Sequence, residues 1–181
     1  MAIKFVVFID PLINQVYLKQ GLCFDQDFEF FQETRQKMNP IKTERLTLKR
    51  ATLEHKSRLI QLIGDFRVAS MLSNVPHPYA DKDADYWLGK IENEELNLNI
   101  FLYDVPIGGV GLSVRGDDYC ELGYWLGFDY WGFGYATEAC RGLLELAQIS
   151  TSFNCVNANV YKENFRSSQV LQKLGFVQIG E

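Results

Sequence analysis

Apolar and polar positions change their period several times along the chain, and each change marks an element. Leu46, Leu48 and Arg50 alternate with polar neighbours, the pattern of a half-buried strand. Thr52 then stands where it can cap a helix whose apolar positions include Leu53, Leu59, Ile60 and Ile63. Ala84, Trp87, Leu88 and Ile91 follow the i, i+3, i+4, i+7 spacing of a second helix, with Asp81 or Asp83 near its positive end. Strand-like segments come next near 97–103, 107–114 and 119–127. Asp104-Val105-Pro106 reads as a tight turn joining the first two into an antiparallel hairpin, and Gly116-Asp117-Asp118 as the turn after it.

The strongest helical pattern is at 132–148, where Ala136, Ala139, Cys140, Leu143, Leu144 and Ala147 form one stripe. Val156, Ala158 and Val160 alternate with Asn157, Asn159 and Tyr161 as a further strand. Ser167, Val170, Leu171 and Leu174 share one face of a helix over 165–174, and Gly175 sits at its C-cap position. Phe176 to Ile179 begins a last strand. From residue 46 the order is β-α-α-β-β-β-α-β-α-β, a mixed α/β layered domain whose sheet is antiparallel in its first half.

Composition narrows the function classes. At 181 residues, with 47% hydrophobic and 23% charged, the chain suits one globular domain and excludes disordered, collagen-like and coiled-coil classes. Its 18 Lys+Arg against 23 Asp+Glu give a net charge of -5, which argues against a nucleic-acid partner and suits a cationic one. The apolar run Phe5-Val6-Val7-Phe8-Ile9 is too short for a membrane span or a signal-peptide core. Cys23, Cys120, Cys140 and Cys155 lack CxxC spacing, so buried thiols in a cytoplasmic protein are expected, with no metal site. His55 and His77 read as solvated side chains, the latter in the Pro76-His77-Pro78 loop that, with Tyr79, offers a wall for an acceptor site.

Nine of the 14 glycines fall between Gly108 and Gly142. Within that window, Tyr130-Trp131-Gly132-Phe133-Gly134-Tyr135-Ala136-Thr137-Glu138 follows a strand and opens a helix. Small residues there let successive N–H groups point at one anion, which suits a phosphate or pyrophosphate. The pattern is neither GxxxxGK[ST] nor a full GxGxxG with a downstream carboxylate, and a purely structural turn also accounts for two glycines before a helix.

Residues 121–127, Glu121-Leu122-Gly123-Tyr124-Trp125-Leu126-Gly127, followed by the 131–139 run, resemble motif A of the GNAT superfamily of N-acetyltransferases. The resemblance is greatest to the branch of the ribosomal-protein acetyltransferases RimJ and RimL. The run from Asn164 to Phe176 resembles motif B, Thr43-Glu44-Arg45-Leu46 the opening of the domain, and Gly108-Gly109 also matches. The resemblance spans about residues 42–181, leaving 1–41 as an atypical N-terminal extension that carries seven aromatics within residues 1–40. It implies a mostly antiparallel central sheet flanked by helices, in which one further antiparallel strand normally follows the position of Phe176. We expect Ile3–Ile9 to fill that place, in the same chain or a neighbouring one.

The resemblance also implies an acetyl-CoA-dependent N-acetyltransferase that works by direct transfer in a ternary complex. The coenzyme's pyrophosphate is expected on the turn formed by Trp131, Gly132, Phe133, Gly134, Tyr135, Ala136 and Thr137. Trp131 stands where the family's turn carries Gln or Arg. The pantetheine arm is expected beside Tyr124, Trp125 and Leu126, where two strands splay apart, with Asn164 capping the motif B helix and touching the arm.

Acetyl transfer to an amine needs a proton acceptor, donors for the oxyanion, and a proton or solvation for the departing thiolate. Glu121 is the candidate base, although a strand carboxylate paired with a surface cation is an equal reading. The backbone N–H near Leu126 is the candidate oxyanion donor. Ser167, inward-facing on its helix, matches the serine or tyrosine hydroxyl that the family places near the coenzyme sulfur. Glu138 is explained by the helix dipole, and Cys140 by the core. A protein or peptide N-terminal α-amine is the expected acceptor, with a polyamine, amino acid or aminoglycoside, or a non-catalytic coenzyme-binding module, as alternatives. A homo-oligomer is compatible with all of these.

Overall fold

In the computed structural model, eight strands join one sheet in the order β2-β3-β4-β5-β6-β7-β1-β8. They are β1 Ala2–Phe8, β2 Ile41–Lys42, β3 Thr47–Lys49, β4 Leu96–Leu102, β5 Val105–Val114, β6 Tyr119–Leu126, β7 Cys155–Tyr161 and β8 Val177–Gly180. The α-helices are α1 Lys56–Ile63, α2 Phe66–Ala69, α3 Asp81–Ile91, α4 Tyr135–Ser150 and α5 Phe165–Lys173. The structure describes residues 2–8, 39–73, 75–91, 96–115, 119–150 and 155–180. The expected turn at Gly116-Asp117-Asp118, Ile9 and Cys23 all lie outside them.

Neighbouring strands are antiparallel except β6 and β7, which run parallel. Strand β1 lies between β7 and β8, paired from Ala2↔Tyr161 to Phe8↔Cys155 on one side and through Val6↔Val177 on the other. The apolar run near the N-terminus thus occupies the sheet position expected of it, within the same chain.

One cluster forms the main core. The α4 stripe of Ala139, Cys140, Leu143 and Ala147 is fully buried, as are Leu48, Ile100, Val156, Ala158 and Leu171. Burial pushes the Cys140 thiol well above its ordinary range and Cys120 to about 11, so both stay protonated packing groups.

Local chemistry moves several boundaries. Leu53 is 73% exposed because it belongs to a 3-10 turn, Leu53–His55, out of phase with the buried stripe Leu59, Leu62 and Ile63 of α1. His55 is a capping residue instead of a solvated one: its Nδ1 accepts the Thr52 N–H at 3.1 Å, and its ring meets Phe101 edge-on at 5.0 Å. His77 lies 5.3 Å from the Phe66 ring. The β4–β5 turn falls at Tyr103 and Asp104, with φ of 48° and 63°, two residues before the Pro expected to mark it. Pro106 is accommodated in β5 opposite Phe101, at a register shift, where the ladder tolerates a missing N–H. Helix α4 starts at Tyr135, not 132, because Gly132 and Gly134 hold φ of +86° and +82°.

Candidate active site

The parallel β6–β7 pairing covers only Tyr119↔Cys155, Cys120↔Val156 and Glu121↔Asn157. Beyond it β6 continues to Leu126 and β7 to Tyr161 without pairing, so a gap opens between them. On its other side β6 stays in register with β5. The Gly127 N–H donates to the Ile107 carbonyl at 2.9 Å, which makes Leu126↔Gly108 a non-hydrogen-bonded pair, and Tyr124↔Val110 shares its phase. The N–H and C=O groups of Tyr124 and Leu126 therefore point away from β5, into the gap. A Cβ on Gly109 would lie 2.5 Å from Trp125 Nε1, so glycine is needed there for the indole to lie against β5.

After β6 comes a 3-10 turn, Phe128–Tyr130, and then the glycine-rich loop. Its two left-handed glycines aim the chain so that α4 begins beside the gap, with the unpaired N–H groups of its first turn facing outward. Trp131 folds back and donates its Nε1–H to the Leu126 carbonyl at 2.8 Å.

The loop is braced from the start of the domain. The Glu138 carboxylate accepts from Thr43 Oγ1 at 2.6 Å and from the Arg45 backbone N–H and Nε–H, each at 2.7 Å. Arg45 Nη1 donates to the Phe133 carbonyl at 3.0 Å, and its guanidinium lies over the Tyr135 ring at 4.6 Å. Burial raises the Glu138 pKa, but these Thr43 and Arg45 contacts outweigh it and hold the carboxyl below its ordinary value. Glu138 therefore binds two segments together as well as facing the helix dipole.

Helix α5 closes the other side. Asn164 accepts the Ser167 N–H at 3.1 Å as its N-cap. The Ser167 and Tyr124 hydroxyls are 2.6 Å apart, and Tyr124 also donates to the Ser167 carbonyl at 3.0 Å. Burial raises the Tyr124 pKa more than its bond to Ser167 lowers it, so the phenol keeps its proton throughout the neutral range.

These parts enclose a cleft of about 400 Å³. Residues 124–126 and 131–137 apart from Phe133, together with Asn164 and Ser167, line it. Phe133 has an exposed side chain, stacked on Tyr135 at 5.8 Å, and its contribution to the loop is the carbonyl that Arg45 holds. Glu121 is outside the lining, at the last paired position before the strands part. Its carboxylate accepts from Arg115 Nε at 3.1 Å and Asn159 Nδ2 at 3.2 Å.

Tyr124 was expected beside the pantetheine arm, but its hydroxyl pairing with Ser167 was not foreseen. Other lining residues were not singled out from the sequence. Arg166 and Lys173 line the cleft from α5, and Val68, Met71 and Leu72 also wall it; Tyr79, expected beside the acceptor, is not part of this lining. Among the described residues no group of three His, Cys, Asp or Glu side chains converges, and no helix is long and apolar enough to cross a membrane.

The cleft's features fit a long anionic cosubstrate with an amide-containing arm. Outward backbone groups on β6 suit amides, the loop suits phosphate, and no described lining residue is acidic.

Comparison with known proteins agrees with this architecture. The family model described as "Acetyltransferase (GNAT) domain" matches residues 45–177. An N-acetyltransferase of Bacillus licheniformis, p20, is 29% identical over 151 residues, 79% of this chain and 85% of its own. A GNAT-family acetyltransferase structure from Bacillus anthracis superposes with a TM-score of 0.68 at 21% identity, covering 76% of this chain and 82% of that one. RimJ of Mycobacterium smegmatis, solved with a coenzyme A disulfide, superposes with a TM-score of 0.65 at 19% identity, over 78% of this chain and 76% of that one.

Proposed function

This chain belongs to the GNAT acetyltransferase family, and on that premise we propose that it acetylates a protein or peptide N-terminal α-amine. Acetyl-CoA is the cosubstrate, and its thioester supplies an activated acetyl group. Residues 42–181 are the transferase domain, with Ala2–Phe8 completing its sheet. A cytoplasmic location fits the free thiols of Cys120, Cys140 and Cys155.

One observation carries the choice of acceptor: among the described residues, the cleft lining contains no carboxylate and no histidine. An α-amine, with a pKa of about 7.7–8.0, is partly deprotonated at neutral pH, whereas a lysine or polyamine near 10.4 needs a strong local base. The resemblance of its motifs to the ribosomal-protein acetyltransferase branch supports the same acceptor.

The residues divide the work as follows. Tyr124 and Leu126 present backbone groups to the pantetheine arm, and the loop at 131–137 presents N–H groups to the pyrophosphate. The Leu126 N–H, facing the gap, donates to an oxygen that gains charge. The Tyr124–Ser167 hydroxyl pair offers a proton to the departing sulfur. Glu121 takes the amine's proton through water, since its carboxylate lies outside the lining.

A thiol-release assay with acetyl-CoA tests this on peptides with free N-termini, N-blocked lysine peptides and polyamines. We expect kcat/KM to be highest for the free N-termini. A preference for polyamines or lysine overturns the acceptor, and no thiol release with any amine overturns the enzyme. In the same assay Glu121→Gln is expected to lower kcat about 10- to 100-fold at pH 7, with the deficit closing above the acceptor's pKa.

A further inference from the structure

Charge is unevenly paired in this protein. Arg45, Lys49, Lys56, Arg67 and Arg115 each face a carboxylate at 2.5–3.1 Å. Arg166 and Lys173, like several cations outside the cleft, do not: among the described residues no acidic side chain meets either one. Both stand in the cleft lining, whose described residues include no Asp or Glu although the chain carries a net charge of -5. Two unneutralised cations in an acid-free cleft of an acidic protein mark a place for an anion.

The two cations are not equivalent. Lys173 lies seven positions after Arg166 on α5, which places it about 10 Å further along the axis. Arg166, in the first turn, has its guanidinium over the Trp131 ring at 5.6 Å. That ring is itself fixed, by its Nε1–H on the Leu126 carbonyl and by Phe128 at 5.1 Å. An arginine resting on an aromatic face keeps its N–H edge free, and that edge matches two phosphate oxygens at once. Trp131 immediately precedes Gly132 and Gly134, so the guanidinium shares one end of the cleft with the N–H groups of the loop.

We propose that Arg166, held on the Trp131 ring, is the side chain that binds the diphosphate of the cosubstrate, jointly with the backbone of the glycine-rich loop. The inference rests on the acetyl-CoA reading above. It assigns one part of that ligand, the diphosphate and not the ribose 3′-phosphate, to one residue.

Calorimetric titration of the full chain with coenzyme A and with 3′-dephospho-coenzyme A tests it, using wild type and Arg166→Gln. Arg166 is exposed, so the variant is expected to melt within a few degrees of wild type. The expected result is a loss of affinity of about 10- to 100-fold, equal for the two ligands and shrinking as salt is raised. Unchanged affinity for both overturns the proposal. A loss confined to coenzyme A also overturns it, because the residue would then serve the 3′-phosphate. Should Arg166→Gln fail to fold, Arg166→Lys, which keeps the charge and loses the fork, is expected to weaken both ligands equally but less. Failure of wild type to bind either ligand overturns the acetyl-CoA reading instead.

Discussion

At the scale of single residues, the proposed mechanism rests on the hydroxyl pair of Tyr124 and Ser167 to give the departing sulfur its proton. The two oxygens are 2.6 Å apart, so each removes part of what the other can do. Tyr124→Phe and Ser167→Ala should each lower kcat about 10- to 100-fold, with coenzyme A affinity within about twofold. The double variant should be little worse than either single one, since both break the same donor. Additive losses in steady-state kinetics would show two independent roles. Ser167 was legible because helical spacing put it on the face of Val170, Leu171 and Leu174. The role of Tyr124 was not, because its partner is 43 positions away and only the gap between β6 and β7 brings them together. Arg166 was equally hidden: nothing in its neighbours reveals that Trp131 lies beneath it.

At the scale of elements, the long helix and its glycine-rich entrance were readable from the stripe of small and apolar residues. Their attachment to the Thr43–Arg45 segment was not, because it joins positions about 95 apart through one carboxylate. This brace makes a pH prediction. Glu138 titrates lower in the folded chain than in the unfolded one, so its stabilisation is complete above the unfolded value of 4.5 and is lost as pH falls through the lower folded value. Glu138→Gln should therefore melt a few degrees below wild type near pH 7, about 1–2 kcal/mol, and the two curves should converge as pH falls through the lowered folded value. A melting difference that stays constant from pH 3 to 7 would deny the carboxylate this role. Short elements escaped the sequence for a related reason. Helix α2, four residues long, has too few positions to show a period, and its start is set by Asp65 accepting the Arg67 N–H at 2.9 Å.

At the scale of the whole molecule, the sheet is complete only with a strand from far upstream of its neighbours. The short apolar run in Ala2–Phe8 made the strand itself readable, and the family resemblance indicated its place, but no local signal sets the pairing register. Phe5, 1% exposed, anchors it in the main core. Phe5→Ala should cost about 3–5 kcal/mol of unfolding free energy in urea titration, as for any deeply buried aromatic. A loss under about 1 kcal/mol would mean that β1 decorates the sheet without supporting it. Strand β8 meets the rest of the sheet only through β1. Its docking site does not exist until residues made on the order of 150 positions earlier have found β7. Closing so distant a contact is slow, and synthesis gives β1 no partner while most of the chain is still being added. Phe5 and Val6, on opposite faces of that strand, stay without their native cover through that interval, when exposed apolar surface favours aggregation.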